Sequence, residues 1–175
     1  MTARIDATSA VTIPNAPPDT SRLYQEGIVA GILGAATVAV WFLIVDTMNG
    51  RPLYTPTVLG TALFHRGAEL AALHTLPASL EMVLMFTWVH GLAFAAIGGL
   101  ASRLLGMAER NPSIGFGVLL LFVVFEAGFT VAVMVFAAPV LRALTWPTVL
   151  VANVLAAIVM GGYFRLRHPT LSVSP

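Results

Sequence analysis

The chain contains no cysteine. That excludes disulfides, cysteine-ligated zinc, iron–sulfur clusters and thiol nucleophiles together. Charge is nearly as scarce: 10% of the 175 residues are charged and the net charge is +1, where soluble domains carry about 25%. With so small a basic excess there is no electrostatic footprint for nucleic acid. Lysine is also absent, so all nine basic residues are arginines, whose planar fork suits fixed pairing with carboxylates or lipid phosphates. Catalytic signatures are missing too. There is no G-x-S-x-G, no H-E-x-x-H and no P-loop, and no Glu-x-x-His spacing of the kind that carboxylate-bridged di-metal sites use. His65, His74 and His168 fall in loops or the tail, which leaves His90 as the one deep histidine. A bis-histidine haem site within one chain is therefore excluded. No cofactor is identifiable, and contact with lipid, quinone or pigment would have to be supplied by a larger complex.

What is present is hydrophobic: 58% of the chain, a membrane composition. The organising stretch is the apolar run 114–138, bounded by Asn111-Pro112-Ser113 and Pro139, with Glu126 alone at its middle. At about 1.5 Å per residue it is long enough to cross a hydrocarbon core of roughly 30 Å. A carboxylate near the bilayer centre costs roughly 2.5 kcal/mol or more if it faces lipid, so Glu126 is expected to face protein, water or a partner.

Three further spans are expected, at about 27–46, 78–104 and 148–164. Together the four predict an all-α integral membrane four-helix bundle occupying residues 24–168. Residues 1–23 form an extended polar tail with Pro14, Pro17 and Pro18, expected to be disordered alone and to be held by a partner. Residues 169–175 form a short C-terminal tail. Asn49-Gly50 stops the first span. In the long first outer loop, Thr55-Pro56 offers a hydroxyl cap and a proline at the first helical position, and predicts a short interfacial or re-entrant helix from Pro56 to about Phe64. Glu81 at the start of the second span complements the helix dipole.

Small residues mark expected packing faces: Gly27, Gly31, Gly34 and Ala35 in span one, Gly98 and Gly99 in span two, and Gly161 and Gly162 in span four. A faint repeat links the last two. Ala95-Ala96-Ile97 before Gly98-Gly99 resembles Ala156-Ala157-Ile158 before Gly161-Gly162, and His90 and Asn153 each lie eight residues upstream of their Gly-Gly pair.

Two polar sets follow. The mid-membrane set is His90, Glu126 and Asn153, with Thr87 and Thr130 a helical turn from the first two. It is open to three readings: a structural interhelical hydrogen bond, a proton or ion role, or contact with a cofactor or lipid. The outer set is Asp46, Arg51, Tyr54, Arg66 and Glu69. Asp46 and Arg51 are near enough to pair across the helix end, which reads as a pin for the loop or as a ligand site.

Arg4, Arg22, Arg103, Arg110, Arg165 and Arg167 fall on one side of a four-span topology, and Arg51, Arg66 and Arg142 on the other. The positive-inside rule then places both termini in the cytoplasm. Trp41, Asp46 and the loop Gly50-Arg51-Pro52-Leu53-Tyr54-Thr55-Pro56, followed by a histidine-bearing span, resemble uncharacterised small four-helix inner-membrane proteins of bacteria. The resemblance covers about residues 27–105 and implies architecture and a bacterial inner membrane, with no activity attached. The expected function is an accessory or scaffolding subunit of a larger membrane complex, with membrane lipids and other membrane subunits as partners. The alternative is a small proton- or ion-handling protein using His90 and Glu126. Neither reading makes it an enzyme.

Overall fold

A computed structural model describes residues 20–65, 76–110 and 146–167. Four helices account for nearly all of them: α1 (Thr20–Met48), α2 (Tyr54–Phe64), α3 (Leu80–Arg110) and α4 (Trp146–Arg167). Three of these, α1, α3 and α4, are long and apolar enough to cross a membrane. In their most apolar stretches only 28%, 11% and 17% of residues are buried, so the apolar side chains mostly face outward. That is the reverse of a soluble bundle, and it suits hydrocarbon surroundings. The expected span at 114–138, with Glu126 and Thr130, lies outside the described residues, as do Arg66, Glu69 and the tails 1–19 and 168–175.

α1 is the central element and packs against both α3 and α4, which make at most scattered contact with each other. Close approach is possible because the α1 face is small. An added Cβ on Gly27 would run into the Gly98 carbonyl, and one on Gly31 into the Phe94 carbonyl. Gly98 is equally tight against the backbone of Gly27 and Gly31. Gly34 meets side chains instead, Met160 of α4 and Phe94 of α3. Ala30 and Ala35 are buried in the same face. The small-residue stripe of α1 thus serves packing within the chain.

α3 and α4 both run antiparallel to α1. Tyr24, near the start of α1, meets Arg103 near the end of α3. Trp41, near the end of α1, donates its indole N–H to the Thr148 carbonyl at the start of α4, at 3.1 Å.

The helix boundaries exceed the apolar runs. α1 begins at Thr20, where an Arg22–Glu26 pair at 3.3 Å spans one turn of polar helix, and α3 continues to Arg110. Helical hydrogen bonding persists past the hydrocarbon zone because each added residue gains a bond once the helix exists.

α1 ends in a Schellman motif: Gly50 N–H donates to the Thr47 carbonyl at 3.0 Å and Arg51 N–H to the Asp46 carbonyl at 2.9 Å. Gly50 takes the left-handed φ of 68° that this motif requires. α2 starts at Tyr54, two residues before the expected start, so Thr55 lies inside the helix rather than at its cap and Pro56 is its third residue. Proline is tolerated there because first-turn N–H groups have no intrahelical acceptor.

α2 then lies against the start of α3. Gly60 is close to the Met82 backbone, and Val58, Thr55, Thr57 and Thr61 are buried. Ser79 N–H donates to Thr57 Oγ1 at 3.2 Å, joining the two segments.

Candidate functional site

Asp46 is the buried acid of the described structure, with 4% of its surface exposed. It sits in the last turn of α1, and the Schellman turn folds the chain back so that its carboxylate faces the start of α2. Oδ2 accepts the Thr55 backbone N–H at 2.7 Å and Oδ1 accepts the Thr55 hydroxyl at 2.7 Å. Asp46 therefore supplies, from another helix, the acceptor that an N-cap side chain ordinarily gives; Leu53 at the cap position makes no such bond.

Arg51 meets Asp46 through its backbone N–H, while its guanidinium lies over the Tyr54 ring, 3.6 Å from the centroid. Stacking of this kind suits the planar guanidinium. Asp46, Arg51 and Tyr54 thus come together as a pin between α1 and α2.

The second locus is His90 in α3. Its ring stacks on Phe86 with centroids 5.3 Å apart, and tilts against Phe94 at 4.7 Å. The spacing of four residues places these three rings in one row along the helix. The ring lies near the Ala35 backbone, which puts His90 against the α1 seam. Nε2 is buried and has no hydrogen-bond partner among the described residues.

Thr87 does not turn toward it: its hydroxyl donates to the Val83 carbonyl at 2.7 Å. Thr37 and Thr47 of α1 bond back in the same way to Leu33 and Leu43, which satisfies a hydroxyl in an apolar setting without a second helix.

Asn153 is not brought to His90. It lies on an exposed face of α4, whereas α4 meets α1 through the buried row Ala152, Ala156 and Phe164. Gly161 and Gly162 are exposed too, and an added Cβ on either would meet no described atom within 4 Å. The two halves of the sequence repeat therefore differ in use: Gly98 lies in the α1 seam, while Gly161 and Gly162 face away from it. Gly99 is buried, with the Tyr24 ring 3.8 Å from an added Cβ. Contacts of Glu126 and Thr130 with this set lie outside the described residues.

No protein-family model, curated protein or solved structure matches the chain. Any function must therefore be argued from the residues themselves. Among the described residues no cluster of three or more histidine, aspartate or glutamate side chains is placed to hold a metal ion.

Sequence reasoning missed the bond between Asp46 and Thr55 and the ladder Phe86–His90–Phe94. The ladder had a signal, since aromatic residues at spacings of four share a helix face. The Asp46–Thr55 bond had none, because it depends on how sharply the Schellman turn reverses the chain.

Proposed function

We propose that this chain is an accessory or scaffolding subunit of a larger bacterial inner-membrane complex, with both termini cytoplasmic. α3 ends at one end of the assembly and α4 begins at the other. The apolar run 114–138 is long enough to make the return crossing, which completes a four-helix bundle with Glu126 at mid-depth. α2 then lies at the outer face, too short to span, and the N-terminal tail is held by a partner.

The observation that carries this reading is the outward face of α4. Asn153, Ala157 and Gly161 follow one another at spacings of four residues, and all three are exposed. An asparagine amide in hydrocarbon requires a hydrogen-bond partner, and small residues beside it let another helix approach closely. A face of this kind suits a helix better than it suits lipid. Native mass spectrometry from a mild detergent tests the proposal: the expected species is the 18.5 kDa chain bound to a different membrane protein in fixed ratio. Recovery of the chain alone, or only of multiples of itself, would overturn it.

The buried Nε2 of His90, unpartnered among the described residues, favours a second reading, a proton- or ion-handling protein in which His90 and Glu126 act together. In proteoliposomes that reading requires a flux which Glu126→Gln abolishes while the protein still folds, because an amide cannot release a proton. Equal flux in liposomes with and without the protein would end it.

A further inference from the structure

The end of the assembly formed by the start of α1 and the ends of α3 and α4 carries four exposed guanidiniums, those of Arg22, Arg103, Arg165 and Arg167. The one carboxylate among the described side chains there is Glu26. It binds Arg22 at 3.3 Å and lies within electrostatic reach of Arg167. At the opposite end the described side chains show no such surplus: Asp46 and Glu81 stand there with Arg51. The cationic end is also braced. Ser102 donates its hydroxyl to the Leu23 carbonyl, and Gly106 sits beside the Leu23 side chain, so the start of α1 and the end of α3 are held together.

Two tyrosines stand among these arginines. Arg103 donates to the Tyr24 hydroxyl at 3.3 Å, and the Arg167 guanidinium lies 5.6 Å from the centroid of the Tyr163 ring. Tyrosine prefers the headgroup level of a bilayer. Tyrosines beside arginines at the ends of the long apolar helices suit the level of lipid phosphates.

We infer that this end of the protein is a docking site for anionic phospholipid headgroups, with Arg103, Arg165 and Arg167 as its principal phosphate contacts. A guanidinium fork matches two phosphate oxygens at once. The surplus of guanidiniums over carboxylates selects a headgroup with net negative charge, because the ammonium of a zwitterionic lipid would be repelled by the neighbouring arginines. The site rests on charge at the helix ends and not on the subunit reading, although Arg165 extends the Asn153–Ala157–Gly161 row of α4 by one turn.

The test is native mass spectrometry of the full chain in mild detergent with equal amounts of phosphatidylglycerol and phosphatidylcholine. Phosphatidylglycerol is expected to be retained in preference. Each arginine near an anionic headgroup contributes about fivefold in affinity, so Arg165→Gln should lose about fivefold and the pair Arg103→Gln with Arg167→Gln about 25-fold. Arg165 is exposed and makes no side-chain hydrogen bond or ion pair among the described residues, so its variant should fold normally, and Arg51→Gln at the other end should leave the preference unchanged. Equal retention of the two lipids, or an unchanged preference in Arg165→Gln and in the double variant, would overturn the inference. Displacement of phosphatidylglycerol by an equal concentration of glycerol phosphate would overturn it as well, by showing a site for a soluble phosphate.

Discussion

Gly31→Ala adds one methyl group at one of the tightest points between α1 and α3. The new Cβ would lie 2.7 Å from the Phe94 carbonyl carbon and 3.0 Å from the Ala95 Cα, where carbon contacts normally begin at about 3.5 Å. Both obstacles are backbone or backbone-bound atoms of a regular helix, so no rotamer change relieves them and the helices must separate. Overpacking of this kind costs about 1–3 kcal/mol. Alanine is also the better helix former by about 1 kcal/mol, which offsets part of the cost. A net loss of about 1–2 kcal/mol follows.

Gly161→Ala is the matched control, since its Cβ would meet no described atom within 4 Å; only the propensity gain applies, and the variant should be as stable as the parent or slightly more so. Gly34→Ala should fall between them, because the atom nearest its new Cβ is the mobile Met160 sulfur, at 2.6 Å. Thermal unfolding in one detergent, followed by far-ultraviolet circular dichroism, reads the order. If Gly31→Ala and Gly161→Ala melt together, the packing seam is not where this account puts it.

Other perturbations follow from single contacts. Asp46→Ala leaves the Thr55 N–H without its acceptor and should cost about 1–3 kcal/mol, with amide hydrogen exchange accelerated across Tyr54–Phe64 and little changed in the middle of α1. Asp46→Asn keeps one acceptor oxygen and should lose less by the same assay. Trp41→Phe removes the bond to the Thr148 carbonyl and should lower stability by about 0.6 kcal/mol, the mean for an interhelical bond in a membrane bundle; Trp88→Phe, at a position 71% exposed, should change little. For topology, a reporter fused after Pro175 should be active in the cytoplasm and one inserted near Gly67 should be active outside, and the reverse pattern would refute the arginine argument.

The long helices were legible in the sequence because their apolar runs are long and uncharged. Their ends were less so: the Arg22–Glu26 pair extends α1 beyond its apolar run, and hydropathy does not register that extension. The stop at Asn49-Gly50 could be read because a left-handed glycine is a local requirement of the motif. The start of α2 could not be placed as well, because its cap comes from Asp46, nine residues upstream and on another helix.

The seam residues Gly27, Gly31 and Gly34 were identifiable by spacing, but their partner was not: small residues permit close approach without naming the neighbour. Gly161 and Gly162 show the same limit from the other side. They look like Gly98 and Gly99 in sequence, yet they face away from α1. Depth likewise brought His90 and Asn153 to one level, but rotation about each helix axis decides contact, and that turns Asn153 outward.

The central claim is that the Asn153–Ala157–Gly161 face receives a helix of another protein, and cross-linking in native membranes tests it most directly. Because the chain has no cysteine, Ala157→Cys introduces a single thiol for a short photoactivated cross-linker, and Val40→Cys, on an outward position of α1 that is 56% exposed, serves as the control. The account predicts one discrete adduct between Ala157→Cys and a different membrane protein, absent from Val40→Cys. Adducts confined to the chain itself, with residues 114–138 as the attachment site, would show that the face is filled from within and would contradict the account.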